Sequence, residues 1–368
     1  MNIPPQVNYI IQTLEAAGYE AYIVGGCVRD SLRGIAPKDW DITTSATPAE
    51  AKGLFSRTID TGIQHGTITV LVDKLPFEVT TYRIDGEYLD SRRPATVAFT
   101  ANITEDLSRR DFTMNAIAYN PTQGFCDPFH GQADIQGGFI RCVGNPLHRF
   151  TEDALRMLRA IRFAGTTGFT ICPQILSAIT TLALNICHVS PERIHDELVK
   201  LVAGEYFTAI SHLKTTGLET HILNGQGFNI VETAPAIMPL RMAMLLPYPA
   251  DACEKPLRNL RFDNKSIKEI IHYKRLIEIG TLPSTPYEIK KILRYTPQEI
   301  FFNYFGTQNM ATDIINNGEC FTMKDLAITG KELGLPEGKA VGEMLEYLLD
   351  RVMQEPGLNT KEQLLQMV

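Results

Sequence analysis

The chain is poor in the features that tie a protein to a membrane or to an oxidising compartment. No Lys or Arg precedes Arg29, and Pro4 and Pro5 interrupt the opening residues, so a signal or transit peptide of ordinary type is not expected. The most apolar later stretch, PAIMPLRMAMLLPYP at 235–249, holds four prolines and Arg241 and does not read as a membrane span. Seven cysteines are scattered, odd in number and never in a C-x-x-C pair. That argues against zinc and disulfide frameworks and for free thiols in a reducing cytoplasm. Surplus positive charge is missing too, the net charge being −7, which argues against an indiscriminate nucleic-acid binder driven by phosphate attraction. A local basic cleft stays open, because residues 255–275 (KPLRNLRFDNKSIKEIIHYKR) are cationic while the segment from Asp313 onward is acidic. Internal repeats and low-complexity tracts are absent.

What is present is an ordinary globular composition: 368 residues, 44% hydrophobic and 21% charged, enough for two or more domains. VNYIIQTLEAAG places Ile10, Ile11, Leu14 and Ala17 at helical spacing before Gly18, predicting an amphipathic helix with a glycine cap. YEAYIVGG reads as a strand running into a two-glycine turn, VRDSLRG as a short helix and KDWDITT as a strand. GTITVLVD and PFEVTTYR, rich in β-branched residues, predict two more strands around a turn at Lys74 to Pro76. From Thr151 the texture is helix after helix, TEDALRMLRAIRFAG and SPERIHDELVKLVAG each opening on a Thr or Ser N-cap. An α/β front of about 140 residues and an all-helical remainder follow.

In KDWDITT, alternate strand residues share a face, so Asp39 and Asp41 would project side by side. Two carboxylates that close repel unless solvated or bridged by a cation, for which Mg²⁺ is the usual oxygen-seeking candidate. In VGGCVRD, Gly25 and Gly26 let backbone amides approach a phosphate chain, and Arg29 can neutralise it. Taken singly, the glycines could merely end a strand and the aspartates merely face water.

GGCVRDSLRGIAPKDWDITT resembles the signature of class II nucleotidyltransferases, the branch of the DNA polymerase beta superfamily that holds CCA-adding enzymes and bacterial poly(A) polymerases. DGEYLDSRRPATVAFTANITEDLSRRDFTMNAIA is similar to that family's flexible loop and basic motif, and CDPFHGQADI to its head-to-neck connection. RFTEDALRMLRAIRFA resembles its nucleotide-selecting helix and SPERIHDELVKL its neck motif, so the likeness runs from residue 22 to about 205 in the family's order. The fold implied is an α/β nucleotidyltransferase head followed by an all-α neck, body and tail, an elongated multi-domain enzyme. The boundaries expected are 1–138 for the catalytic head, 139–205 for the neck, 206–290 for the body and 291–368 for the tail.

The resemblance implies that Asp39 and Asp41 hold Mg²⁺, with Glu78 in FEVTT as candidate third carboxylate. Such metals activate an RNA 3′-hydroxyl and steady the triphosphate as pyrophosphate leaves in line. In SRRDFTMNA, Arg110 would contact the nucleotide, and Asp111 would orient an arginine or the sugar. Asp153, Arg156, Arg159 and Arg162 recur every three residues as a polar stripe beside apolar Leu155, Leu158 and Ile161. There Asp153 would accept from the exocyclic amine common to cytosine and adenine, and Arg156 would donate to the adjacent ring nitrogen. Arg159 and Arg162 could meet phosphates or fix Asp153. His195 and Asp196 lack partner histidines and are read as structural.

The implied activity is template-independent addition of CCA to tRNA from CTP and ATP. The basic 255–275 stretch and ITGKELGLPEGKAVGEML resemble the body and tail that grip the acceptor arm and elbow. No membrane and no obligate protein partner are expected. A C-only or A-only adder, a poly(A) polymerase and a non-catalytic RNA-binding module are the rivals; the loop between Arg83 and Arg109, which C-only adders of the family tend to lack, favours A addition being possible, and the acidic C-terminal segment favours the compact tRNA enzyme over a poly(A) polymerase. An H-D phosphohydrolase activity is not expected, since nothing after residue 205 supplies its histidine spacing.

Overall fold

The computed structural model describes residues 1–86, 97–229, 231, 234–306, 310–335 and 338–368. Helix α1 (Pro5–Ala16) starts on a proline, whose missing N–H costs nothing in a first turn, and buries Val7, Ile10, Ile11 and Leu14. Ala17 falls outside it and is exposed, and Gly18 turns the chain at φ +90°. Strand β1 (Ala21–Val24) is buried at every residue, as a central strand should be. It ends at Gly25, whose φ of 81° suits a residue without Cβ, and helix α2 (Gly26–Leu32) follows.

Strand β2 (Asp41–Thr44) pairs antiparallel with β1, and helix α3 (Pro48–Leu54) comes after it. Strands β3 (Thr58–Gly62), β4 (Thr67–Val72) and β5 (Leu75–Thr81) form an antiparallel run whose last member lies parallel to β2. The β4–β5 turn is tighter than expected. Asp73 and Lys74 both take positive φ, the two-residue turn whose twist matches a hairpin, and Leu75 and Pro76 already stand in register with Val72 and Leu71. A ribbon of β6 (Arg83–Asp85) and β7 (Val97–Phe99) flanks the expected flexible loop, of which 87–96 lie outside the described residues. Helix α4 (Ile103–Ser108), strands β8 (Ala118–Asn120) and β9 (Gly124–Cys126) and helix α5 (Gly131–Gly137) complete the front. The main sheet runs β3-β4-β5-β2-β1-β8-β9.

Two expectations about this chain need correction. The KDWDITT strand begins only at Asp41, because the ladder with β5 starts at the Asp41–Glu78 pair, so Asp39 lies in the loop leading in rather than on the strand. The second concerns the stripe from Glu152. Helix α6 (Pro146–Glu152), capped by Asn145 and not by Thr151, stops before Asp153, which is extended (φ −145°, ψ 103°), and α7 (Leu155–Thr167) starts beyond it. The Asp153 carboxylate accepts from the Leu155 amide at 3.1 Å, a local bond that competes with helix. Only Arg156, Arg159 and Arg162 therefore share the α7 ladder.

A two-residue parallel pair, β10 (Phe139–Ile140) with β11 (Thr170–Ile171), interrupts the otherwise helical remainder. Helices α8 (Pro173–Leu182) and α9 (Pro191–Val202) follow; Ser190 occupies the N-cap position of α9 without a side-chain capping bond. Helix α7 meets α9 and the residues after it through small residues: a Cβ on Gly165 would lie 2.6 Å from a Leu201 methyl, and one on Gly204 2.4 Å from the Gly165 carbonyl. That close approach brings the polar faces of α7 and α9 together.

The chain divides into two compact units, residues 1–247 with 256–262, and residues 248–255 with 263–368. The smaller unit is helical, with Asn264–Ile279, Pro286–Leu293, Gln298–Phe305 and Lys339–Gln354 as its longer helices among the described residues and Leu348, Leu349, Val352 and Leu364 in its core. Among the described residues, no helix is long and apolar enough to cross a membrane.

Candidate nucleotide site

A cleft of about 490 Å³ in the larger unit is lined by seven arginines against three aspartates, with Gly25 and Gly26 at one edge. Such a surplus of cations calls for a polyanion. Its cations are held by buried acids. Asp106, fully buried, accepts from Arg109 Nε and Nη2 at 3.0 and 2.7 Å and from Arg110 Nη2 at 3.2 Å. Burial alone would raise its pKa, but the two guanidiniums hold it below the ordinary carboxylate value.

Asp111 repeats the device five residues on, beyond the end of α4. Its Oδ2 accepts from Arg159 Nε at 2.9 Å and Nη2 at 2.7 Å, and its Oδ1 from the Asn115 amide at 3.0 Å and the Phe112 N–H at 2.8 Å. Burial works against the charge, yet Arg159, Asn115 and Arg156 win and hold the carboxyl at about 2. Of the two roles left open for Asp111, the bonds are those of an arginine orienter. From α9, Glu197 takes Arg159 Nη1 at 3.0 Å and Arg162 Nε at 2.6 Å. Its pKa is lowered because these arginines, with Lys200, outweigh its burial. Phe163 lies under the group, with the guanidinium carbons of Arg162, Arg29 and Arg159 at 3.5, 5.1 and 5.4 Å from its ring centre. Cation–π attraction helps keep cations together that would otherwise repel.

Asp153 and Arg156 sit at the α6–α7 break. Asp153 Oδ2 accepts from Arg193 Nη2 at 2.7 Å. Arg156 is buried; its Nη1 donates to Glu152 at 2.6 Å and to the Arg149 carbonyl at 3.1 Å, and its Nη2 to the Arg109 carbonyl at 3.1 Å. These bonds fix the guanidinium at the cleft wall. The partner of Asp153 is thus Arg193, while Arg159 and Arg162 serve Asp111 and Glu197.

Gly25, Gly26, Arg29, Asp41, Arg110, Asp111, Asp153, Arg156, Arg159 and Arg162 all line this one cleft. Asp39 and Glu78 line a neighbouring cleft that shares Asp41 with it. Glu78 stands beside Asp41 in the parallel β2–β5 register. The Asp41 pKa is raised by burial first and then by Glu78 and Asp39, with Arg110 pulling the other way. A carboxylate loaded in this way by its neighbours is a good ligand for a hard cation. Among the described residues no three acids, histidines or cysteines converge into a metal cage. Asp41 with Asp39 and Glu78 nevertheless offers the oxygen donors that a hard divalent cation takes when substrate phosphate and water complete its shell.

Arg193, Glu197, Asn115, Phe163 and Asp106 were not singled out by sequence. The i, i+4 spacing of Arg193 and Glu197 in SPERIHDEL was the available signal, since it puts both on one face of a helix. His195 lies off this site, packed edge-on against Phe262 with ring centres 4.4 Å apart.

A family profile described as "Poly A polymerase head domain" matches residues 21–141, and one described as "Probable RNA and SrmB- binding site of polymerase A" matches residues 168–226. A CCA-adding enzyme of Levilactobacillus brevis is 49% identical over 210 residues, a match that takes in 57% of this chain and 53% of that relative, about half its length. A CCA-adding enzyme of a Geobacillus strain is 37% identical over 384 residues, covering 96% of this chain and 94% of the relative. The crystal structure of the Bacillus stearothermophilus CCA-adding enzyme in complex with CTP superposes with a TM-score of 0.80 at 31% identity, covering 100% of this chain and 97% of that one. A Thermotoga maritima CCA-adding enzyme complexed with tRNA reaches a TM-score of 0.66 at 18% identity over 99% of this chain and 95% of that one, a likeness of fold alone.

Proposed function

Since the chain belongs to the CCA-adding nucleotidyltransferase family, we propose that it adds C, C and A to the 3′ end of tRNA from CTP and ATP, without a nucleic-acid template. The observation that carries this reading is Asp153, an acceptor at the wall of an arginine-lined cleft, beside a pinned Arg156. Cytosine and adenine both offer an amino donor next to an unprotonated ring nitrogen, which suits a carboxylate beside a guanidinium. Uracil and guanine offer a carbonyl where Asp153 needs a donor, and an unpaired buried carboxylate costs several kcal/mol. Arg193 holds Asp153 in place from α9.

The triphosphate lies along Arg29, Arg110, Arg159 and Arg162; Asp30 and Asn115 already orient the first, and Asp106, Asp111 and Glu197 the other three, so little reorganisation is left for the reaction. Gly25 and Gly26 allow close backbone approach to the phosphates. The family works with a divalent cation, here assigned as Mg²⁺ on Asp39 and Asp41 with Glu78 beside them; when bound it lowers the pKa of the RNA 3′-hydroxyl and neutralises the leaving group. The 3′-oxygen bonds to the α-phosphorus and its proton passes to water. The bond from that phosphorus to the α,β-bridging oxygen breaks, and pyrophosphate departs with the electron pair. The cationic segment 255–275 and the C-terminal helices are assigned to the acceptor arm and elbow of tRNA, with no membrane and no obligate protein partner, in the cytoplasm.

The test is extension of one tRNA ending before CCA, after C and after CC, with Mg²⁺ and each labelled nucleotide separately. Addition of C, C and A followed by a stop is expected. Addition of A onto the CC form alone would make the protein an A-adder, unlimited A would make it a poly(A) polymerase, and no incorporation by folded protein would overturn the enzymatic reading.

A further inference from the structure

Asp153 and Arg156 are held unequally. Arg156 donates to Glu152 and to the Arg149 and Arg109 carbonyls, whereas Asp153 Oδ2 depends on Arg193, whose Nη2 lies 2.7 Å away and whose Nη1 is buried without a partner among the described residues. Where Arg193 stands is therefore set by the backbone of α9. Arg159 and Arg162 depend on that helix less, since Asp111 grips the first and the Phe163 ring lies under the second.

A short excursion of the chain fixes α9 from elsewhere. Residues 256–262 pack with the larger unit, while 248–255 before them and the chain from 263 after them belong to the smaller one. The helix Glu254–Asn259 ends in a turn closed by the Arg261 N–H on the Arg258 carbonyl at 2.9 Å and the Phe262 N–H on the Leu257 carbonyl at 3.0 Å, a pattern that needs a left-handed residue and usually takes glycine. Here Arg261 takes φ +62°, which a residue with a Cβ keeps only where its surroundings hold it. The turn delivers Phe262, 5% exposed, edge-on to His195 with ring centres 4.4 Å apart, and sets Arg261 Nε 3.0 Å from Glu192. That ion pair is exposed and adds little, so the ring contact is the anchor. At 3.6 residues per turn, Glu192 and His195 project from a different side of α9 than Arg193 and Glu197. A helix gripped on two sides cannot roll without loosening one grip.

We infer that Phe262 and His195 are positioning residues for base choice: by fixing the roll of α9 they set Arg193, and through it Asp153. The inference rests on the nucleotidyl-transfer reading above and adds to it a specificity determinant remote from the base. In the full-length protein, Phe262→Ala should lower the preference for CTP over UTP in kcat/KM, on tRNA lacking CCA, by about tenfold or more, since a misplacement of about 1 Å can cost about a hundredfold. Inhibition by pyrophosphate, which reads the arginines without a base, should be unchanged. Phe262→Tyr, which keeps the ring, should restore the preference. His195→Ala breaks the same contact from α9 and should give the same loss, which keeps the inference testable where Phe262→Ala does not fold; the two together should cost no more than either alone. A purely structural role would lower incorporation of every nucleotide in proportion and leave the ratio intact. An unchanged ratio in folded variants, or a loss of pyrophosphate inhibition equal to the loss of preference, would overturn this inference alone. No incorporation by the wild type would overturn the nucleotidyl-transfer reading and this inference with it.

Discussion

Both compact units bury charge, and they put it to different use. In the smaller one Lys290 is 1% exposed and enclosed, its ammonium on Glu319 at 2.7 Å and on the Met353 carbonyl at 3.3 Å. The larger unit buries Asp106, Asp111 and Glu197, and each holds arginines whose other side opens to a cleft. A buried ion pair is therefore no sign of a site by itself. Acids that hold a surplus of cations in place, at a surface a ligand can reach, are.

The sharpest contrast should come from charge removal at the two places. Asp41→Asn is expected to lower nucleotide incorporation by about a thousandfold or more while tRNA binding by filter retention persists. Lys290→Met should leave incorporation unchanged. Equal losses from both would dissolve the distinction between a working and a structural charge.

Stability should separate them next. Glu197→Ala takes that carboxylate from the largely buried Arg162 and leaves Arg159 with Asp111, and should cost about 3 kcal/mol in urea denaturation of the larger unit. Lys290→Met leaves Glu319 partly exposed and able to reach water, and should cost about 1 kcal/mol.

Acid should act on the cleft more gently. Asp111 titrates at about 2 instead of the ordinary 3.8, so the unfolded chain binds the proton more tightly. Its contribution, about 2 kcal/mol, is complete above about pH 4 and is lost as pH falls towards 2. Asp111→Asn should erase that part of the acid limb, seen as a flatter stability profile between those values.

At the smallest scale the two units should become indistinguishable. Thr47 with Glu50 in the larger and Thr329 with Glu332 in the smaller both form complete capping boxes. Replacing either threonine by alanine should cost about 1 kcal/mol, read by urea titration.

How much could be read beforehand follows the range of the interactions. The strands around Ile23, Ile42 and Val79, and α1 with Ile10 and Leu14, were legible because each is a contiguous run that carries its own signal, apolar and β-branched residues in the strands and a spacing of 3.6 in the helix. The break at Asp153 was not, because one side-chain bond to the Leu155 amide overrides a run of good helix formers. The cleft residues in the glycine, D-x-D and arginine motifs were legible by resemblance, each lying within a contiguous segment. Arg193 on Asp153 spans 40 positions and Glu197 on Arg162 spans 35; pairings of that separation exist only once α7 and α9 have packed through Gly165 and Gly204.

The central claim is that protein side chains choose the base. The direct measurement is competition among all four nucleoside triphosphates for addition to tRNA lacking CCA, by the wild-type protein and by Asp153→Ala, with folding of the variant checked by circular dichroism. The account predicts that the wild type takes C and A and that the variant loses discrimination against U and G by about a hundredfold or more. Discrimination that survives intact in a folded Asp153→Ala protein would contradict it.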